Sequence, residues 1–152
     1  MKLNIREASR DDLPHLLELE QRVVEAERAF SPDIKAPEAY YYDIEQLIAD
    51  DACLLLVAED AGAIVATGYA QIKKSKASLA HNIHAYLGFM YVSPSFRGQG
   101  LNQEITGKLV TWSQQQGVST LYLDVYAENA PAIRAYEKIG FQPCLLEMKL
   151  SL

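Results

Sequence analysis

The chain has 152 residues, of which 49% are hydrophobic and 22% charged, near the usual balance of a globular domain. Its formal net charge of −6 disfavours nucleic acid as a partner, because binding phosphates needs a basic face and the sequence shows none, and it would suit a cationic partner. No apolar run approaches the roughly 20 residues of a membrane span, and no signal-peptide core follows Met1, so we expect a cytoplasmic protein without a membrane partner. The two cysteines, Cys53 and Cys144, lack metal-ligand spacing and predict no metal site.

The first half of the chain predicts a strand, two helices and a hairpin. Apolar residues recur at helical spacing in the two helices and form strand-length runs elsewhere. Gly62 marks the reversal of the hairpin, and the second helix carries three consecutive tyrosines, Tyr40 to Tyr42. In chain order these elements cover residues 3–8, 11–30, 37–49, 53–58 and 64–70.

A glycine-bearing loop joins a predicted strand, 86–92, to an amphipathic helix that begins at Leu101. The first turn of a helix has unpaired N–H groups and the positive end of the helix dipole, so it is a natural phosphate site. Arg97 adds a charge, and Gly98 and Gly100 allow close approach of the backbone. The spacing fits neither a Walker loop nor a three-glycine dinucleotide fingerprint, and a plain strand-to-helix turn is the remaining alternative.

A second motif follows the strand predicted at 121–126. Asn129 is placed to cap a short helix whose inward face includes Tyr136, and Gly140 stands where a left-handed residue would end that helix. A last strand is expected from Pro143 to Leu150.

The two motifs together resemble the GNAT superfamily of acyl-CoA-dependent N-acyltransferases, with distant similarity to ribosomal-protein alanine N-acetyltransferases. The matching residues are Arg97 and Gly100 in the first motif and Asn129, Ala132, Tyr136, Gly140 and Phe141 in the second. Asn102 stands where the family usually has Gly or Ala. The resemblance implies one α/β domain over residues 1–152, with a mixed, mainly antiparallel sheet of six to seven strands flanked by about four helices.

The resemblance also implies acetyl transfer from acetyl-CoA to a primary amine, on a small molecule or a protein N-terminus, by direct attack in a ternary complex. Tyr136 is then the proton donor to the departing thiolate. Asp124 stands at the position where the ribosomal-protein enzymes have a Glu as their proposed base, and its side chain is one methylene shorter. A water relay or Glu128 is an alternative base. The residues expected to bind acetyl-CoA are Met90, Tyr91, Val92, Arg97, Gly98, Gln99, Gly100, Leu101, Asn102 and Asn129.

Two rival interpretations stay open at this point: a non-catalytic acyl-CoA-binding or regulatory module of the same fold, and a nucleotide-binding domain that uses the loop for ATP. His81 and His84 could titrate near neutral pH and serve an acceptor site, although exposed loop histidines are usually unspecific. Tyr40, Tyr41 and Tyr42 could wall the acceptor pocket or simply pack. A homodimer is expected only by analogy with the superfamily.

Overall fold

The computed structural model describes residues 3–152, which form an α/β fold with five strands and four α-helices. The strands are β1 (Leu3–Glu7), β2 (Cys53–Asp60), β3 (Ala63–Lys74), β4 (Ile83–Val92) and β5 (Leu121–Leu123). The helices are α1 (Leu13–Glu27), α2 (Ile44–Ala49), α3 (Leu101–Gln115) and α4 (Ala130–Ile139). No helix within residues 3–152 is both long enough and apolar enough to cross a bilayer.

The strands lie in the order β1-β2-β3-β4-β5, and all neighbours are antiparallel except β4 and β5, which run parallel. Successive side chains of a strand point to opposite faces, so the sheet has a core on each side. One core packs α1 and α2 against the sheet and is centred on Leu16, Val57 and Phe89. The other packs α3 and is centred on Ala66, Ile105 and Leu109.

The predicted count of six to seven strands is wrong, because residues 143–150 pair with no strand and the sheet ends at β5. A segment becomes a strand only when a neighbouring edge completes its hydrogen bonds, and within the described residues this segment pairs with no strand. The α/β class, the mixed sheet and the four helices are confirmed.

The second predicted helix is much shorter than expected. Residues 37–43 are not helical, and α2 begins only at Ile44. The reason is Glu20 of α1, a fully buried carboxylate whose Oε2 accepts hydrogen bonds from the backbone N–H groups of Tyr41 and Tyr42 at 2.7 and 2.8 Å. Amides bound to a side chain are not available for a helical ladder, so the tyrosines lie in an extended segment. Asp43 then caps α2 by accepting from the Gln46 N–H at 3.2 Å.

Several further boundaries move by a few residues. Helix α1 ends at Glu27 rather than Phe30, and β5 stops at Leu123 rather than residue 126. Strands β2, β3 and β4 are longer than predicted, so His84 lies on β4 and not in a loop. Because β5 is short, residues 124–126 lie outside the sheet, at the point where the pairing of β4 with β5 ends.

Candidate active site

The loop between β4 and α3 has the conformation that its glycines permit. Gly98 and Gly100 have φ angles of +79° and +78°, in the left-handed region that residues with a β-carbon rarely occupy. A β-carbon added at either position would meet no protein atom within 4 Å, so open space lies over the loop. Gly100 precedes α3, whose first intrahelical bond runs from the Glu104 N–H to the Gly100 carbonyl at 3.0 Å. The N–H groups of 101–103 are therefore free of helical partners and available to an anion.

Arg97 is anchored beside this space. Its Nε donates to the Val92 carbonyl at 2.9 Å, and its guanidinium lies 5.8 Å from the centre of the Tyr91 ring. Its charge is therefore held at the end of β4 next to the open first turn of α3. Asn102 lies in that turn, is half-buried and contributes its backbone N–H along with its neighbours.

Strand β4 carries a bulge directly upstream of the loop. Tyr69 of β3 pairs with Gly88 and Thr67 pairs with Tyr91, so two residues of β4, Phe89 and Met90, oppose one residue of β3. Phe89 has φ of +53°, an uncommon value for a residue with a β-carbon. Its carbonyl accepts from the Thr67 hydroxyl at 2.7 Å and its N–H donates to the Tyr42 hydroxyl at 3.2 Å. At Phe89, hydrogen bonds to side chains thus replace the backbone hydrogen bonds between strands and stabilise the bulge.

Glu20 and Tyr42 connect α1 to this bulge. Glu20 fixes the backbone of the segment that carries Tyr42, and the Tyr42 ring stacks on Phe89 with ring centres 4.9 Å apart. Burial raises the pKa of Tyr42 well above its usual value, so the hydroxyl stays neutral and remains a hydrogen-bond partner of the bulge.

The sheet opens next to the bulge. Pairing between β4 and β5 ends at Leu87 and Leu123, and the chain beyond Leu123 turns away. Asp124 is the first residue past that point, is exposed, and accepts a hydrogen bond from the Tyr86 hydroxyl at 2.9 Å. Burial and then the Asp124 charge raise the pKa of Tyr86, so it acts as a donor to this carboxylate.

Helix α4 carries Tyr136. Asn129 caps the helix, as predicted, by accepting from the Ala132 N–H at 3.3 Å, and Gly140 ends it with φ of +119°. Tyr136 is half-buried, and its ring meets the edge of Phe141 with centres 5.9 Å apart. Burial, with a smaller contribution from the charge of Glu27, raises the pKa of Tyr136 to about 12, so its phenol is protonated at neutral pH.

Glu27, at the last position of α1, is a functional candidate that the sequence analysis did not identify. It is half-buried, and burial raises the pKa of its carboxyl even though Tyr41 lies close enough to offset part of that effect. The Tyr41 hydroxyl is buried and makes no hydrogen bond to the described residues. A helical wheel offers a signal for both carboxylates: Leu16, Glu20, Val23 and Glu27 follow an inward spacing, so Glu20 and Glu27 sit on a face that should be apolar.

His81 and His84 form a separate network. Both Nδ1 atoms contact the Ser75 hydroxyl, at 2.6 and 2.9 Å, and His81 Nε2 contacts the Tyr122 hydroxyl at 2.9 Å. No hydrogen bond within residues 3–152 links this network to Asp124 or Tyr136. Burial, then the nearby His81 and Lys73, lower the pKa of His84.

The three predicted tyrosines at 40–42 divide in the structure. Tyr40 is exposed and donates to Glu38, whereas Tyr41 and Tyr42 pack against the core beneath α1. An open groove of about 530 Å³ runs along the same segment and α1, and another of about 580 Å³ lies between α1, the β2–β3 turn and Ser93–Phe96. Neither groove is lined by Tyr136 or Asp124.

Comparison with known proteins gives local sequence similarity and fold similarity over nearly the whole chain. The chain is 42% identical over 50 residues to the [ribosomal protein bS18]-alanine N-acetyltransferase of Escherichia coli K12, a segment that covers 33% of this chain and 34% of that enzyme. The match therefore spans about a third of each protein.

Two solved structures share the fold. A mutant of protein BH1408 from Bacillus halodurans aligns with a TM-score of 0.86 at 22% identity, covering 98% of this chain and 99% of that one. A predicted acetyltransferase from Clostridium acetobutylicum, solved with acetyl-CoA, aligns with a TM-score of 0.73 at 20% identity, covering 99% and 96% of the two chains. The family model described as "Acetyltransferase (GNAT) family" matches residues 20–141, which include the glycine loop, the bulge and α4. The chain therefore belongs to the GNAT acetyltransferase family.

Proposed function

We propose that the protein is an N-acetyltransferase that moves an acetyl group from acetyl-CoA to a primary amine. The observation that carries the proposal is the opening between β4 and β5 directly upstream of the glycine loop. An anion held at the start of α3 and a thioester lying beside β4 would then belong to one extended donor molecule. The family membership and the acetyl-CoA-bound relative of the same fold support this choice of donor.

The donor would be held by backbone groups along two elements. Its pyrophosphate is assigned to the first turn of α3 and the preceding loop, where open space and free N–H groups coincide. Its thioester carbonyl is assigned to N–H groups at the bulged end of β4, which would stabilise the tetrahedral oxyanion. The residues in these roles are Met90, Tyr91, Val92, Arg97, Gly98, Gln99, Gly100, Leu101 and Asn102, with Asn129 at the start of α4.

The reaction needs one nucleophile and three proton movements. Asp124, directly or through a water molecule, accepts one proton from the bound ammonium and passes it to bulk water. The neutral amine nitrogen then attacks the thioester carbon and a C–N bond forms. The nitrogen loses its second proton by the same route as the tetrahedral intermediate collapses and the C–S bond breaks. The neutral phenol of Tyr136 donates a hydrogen bond to the departing sulfur and delivers a proton to it, giving CoA and the N-acetyl product.

The acceptor would reach this point as a cation and be recognised by carboxylates among tyrosines. Asp124 and Glu27 form no ion pair with any residue in the described part of the chain. Glu27 is close enough for its charge to act on Tyr136 and Tyr41, and the unpaired Tyr41 hydroxyl offers a further polar contact. Small amines and protein N-termini both carry the ammonium group that such a site would bind, with its charge stabilised before one proton is removed.

Two departures from the family pattern favour a second candidate function, a non-catalytic acyl-CoA-binding module. Asn102 places a side chain where the family usually keeps none, and Tyr86 stands near the strand position at which other members carry a Glu. In that case the protein would bind acetyl-CoA, but no added amine would lead to release of free CoA.

Isothermal titration with acetyl-CoA, with ATP and NADH as controls, tests the donor first. Selective binding of acetyl-CoA is expected, and equal or tighter binding of ATP would overturn the assignment. An amine screen that follows thiol release then separates the enzyme from the binding module.

Once the screen has identified an acceptor, Tyr136→Phe should lower kcat by about 10²-fold or more and leave the Kd for acetyl-CoA unchanged. Tyr40→Phe, at an exposed hydroxyl, is the matched control, and equal kcat in the parent and the Tyr136 variant would remove Tyr136 from the mechanism.

A further inference from the structure

The far end of the β3–β4 hairpin is basic, although the chain as a whole is acidic. From residue 61 to residue 103 the sequence contains no Asp or Glu. Within that stretch, Lys73, Lys74 and Lys76 lie where β3 ends and the connection to β4 begins, and the histidine network described above lies at the same end. In a chain with a net charge of −6, this end of the hairpin is therefore a local site for an anionic group.

Strand register places part of this basic end on the face of the sheet that carries the proposed base. Lys73 of β3 pairs with His84 of β4, and paired positions share a face. Alternate positions of a strand also share a face, so His84 lies on the same side of β4 as Tyr86. Tyr86 packs against the core beneath α1 and α2, and its hydroxyl donates to Asp124. A basic and an acidic group thus lie along one face.

The Tyr86 ring sets the distance between these two groups. Lys73 Nζ lies 5.2 Å from the centre of the ring, and the Tyr86 hydroxyl lies 2.9 Å from Asp124 Oδ2. Because both contacts are made to the same side chain, the Lys73 ammonium and the Asp124 carboxylate lie roughly 6–9 Å apart, the span of about two extended residues.

The groups at the basic end are free to bind a ligand. Lys73 is exposed and forms no ion pair with any residue in the described part of the chain. His84 is half-buried, and its Nδ1 contacts the Ser75 hydroxyl at 2.9 Å. When Nδ1 accepts from that hydroxyl, Nε2 carries the ring proton and is a donor. An ammonium and an imidazole N–H on one face are suited to bind a carboxylate.

We propose that the acceptor is an aminocarboxylate, with its amine acetylated beside Asp124 and its carboxylate bound by Lys73 and His84. This inference rests on the proposed acetyl transfer and specifies the substrate of that reaction. The ammonium of such a molecule would meet the carboxylates of Asp124 and Glu27, and its carboxylate would meet the basic end of the hairpin, so charges of opposite sign lie together at both ends. A diamine would instead place its second ammonium beside Lys73, where like charges repel.

Three amines of matched length test the proposal: 6-aminohexanoate, hexylamine and 1,6-diaminohexane. Their far ends are anionic, neutral and cationic, and the extended chain spans about two residues. Thiol release from acetyl-CoA should give a kcat/KM for 6-aminohexanoate about fivefold or more above that for hexylamine, with 1,6-diaminohexane the poorest acceptor. A diamine or hexylamine that equals 6-aminohexanoate in the parent protein overturns the proposal.

A pair of lysine variants locates the carboxylate site. Lys73→Gln should lower the preference for 6-aminohexanoate over hexylamine by about fivefold, through KM rather than kcat. Lys74→Gln is the matched control, because Lys74 is the next residue of β3 and points to the opposite face, and the preference should persist in it. An equal preference in the two variants would overturn the assignment of the carboxylate to Lys73.

Calorimetric titration of the CoA-saturated protein with 6-aminohexanoate separates this inference from the proposed function. Binding that is weaker in the Lys73 variant than in the Lys74 variant, without thiol release for any amine, would overturn the acetyl transfer and retain the aminocarboxylate site. Thiol release for amines without a preference for 6-aminohexanoate would retain the acetyl transfer and overturn the inference. The absence of both binding and thiol release overturns both.

Discussion

Asp12 shows how one buried carboxylate ties the start of α1 to the first strand. It accepts hydrogen bonds from the Arg6 guanidinium at 2.8 and 2.9 Å and from the Ser9 N–H at 2.7 Å. The bonds from Arg6, opposed by burial and assisted by Ser9, lower the pKa of Asp12 to about 2, below its usual range. A carboxyl whose pKa is lower in the folded state stabilises that state above its unfolded pKa and loses the effect as the pH falls.

We therefore expect about 2 kcal/mol of the free energy of unfolding to be present above about pH 4 to 5 and lost on descending toward about pH 2. Urea unfolding at several pH values measures it, and Asp12→Asn should remove most of this dependence. Asp11→Asn, at the exposed neighbouring position, is the control. Parallel pH profiles for the parent and the Asp12 variant would show that the ion pair carries no such free energy.

Tyr42 is a second position where one group has a measurable role. Its hydroxyl accepts from the Phe89 N–H at the bulge, so Tyr42→Phe leaves that amide without its acceptor. We expect the free energy of unfolding to fall by about 1–2 kcal/mol. We also expect kcat to fall, since the bulge precedes the N–H groups assigned to the oxyanion. Denaturant titration and turnover measure the two effects, and Tyr40→Phe should change neither; an unchanged kcat in the Tyr42 variant would separate the bulge from catalysis.

Local chemistry predicts some of these residue-scale features and misses others for a physical reason. Asn129 and Gly140 act on amides and dihedrals within a few residues of themselves, so the sequence suffices to predict the cap and the end of α4. Glu20 acts on amides 21 and 22 positions away, and Phe89, with its positive φ, is held by Tyr42 from 47 positions away. Such contacts exist only once the chain has folded, and single-sequence periodicity does not contain them.

At the scale of elements, two glycines in and after the loop between β4 and α3 have different structural roles. Gly100 needs its left-handed φ of +78°, whereas Gly107 lies inside α3 with no atom within 4 Å of an added β-carbon. Gly100→Ala should therefore destabilise the protein by about 1–2 kcal/mol and weaken acetyl-CoA binding, because the loop must change its path. Gly107→Ala should stabilise it by about 0.5–1 kcal/mol and leave binding unchanged. Thermal unfolding and titration calorimetry measure both; the same sign of stability change in the two variants would contradict this distinction.

The sequence predicts which segments form helices and strands more reliably than it predicts which strands pair with each other. The sequence predicts a strand over residues 143–150, but a strand is completed by a neighbour that no periodicity specifies. The same limit shortens β5, which is predicted to residue 126 and pairs only as far as Leu123. Both differences fall at the β5 edge, where the proposed acceptor site also lies, because within the described residues β5 pairs with a strand on one side only.

For the whole molecule, composition predicts the class of protein but not its ligand. A net charge of −6 disfavours an anionic donor on average charge alone, so binding has to rest on local groups, the free N–H groups of α3 and the held Arg97. These groups are brought together by the folded chain and are scattered when it unfolds. A ligand that binds only the folded state stabilises it by mass action.

Acetyl-CoA at about 100 times its Kd should therefore raise the free energy of unfolding by about 2.7 kcal/mol. For a chain of this length that corresponds to a rise in Tm of about 5–10 °C. Differential scanning calorimetry measures it, with ATP at the same concentration as the control for anions in general. Acetyl-CoA should raise the Tm of the Gly100→Ala variant by less than that of Gly107→Ala, because only the first substitution alters the loop to which the pyrophosphate is assigned. An equal rise with ATP would assign the loop to phosphates in general and leave the opening between β4 and β5 without a role in donor binding.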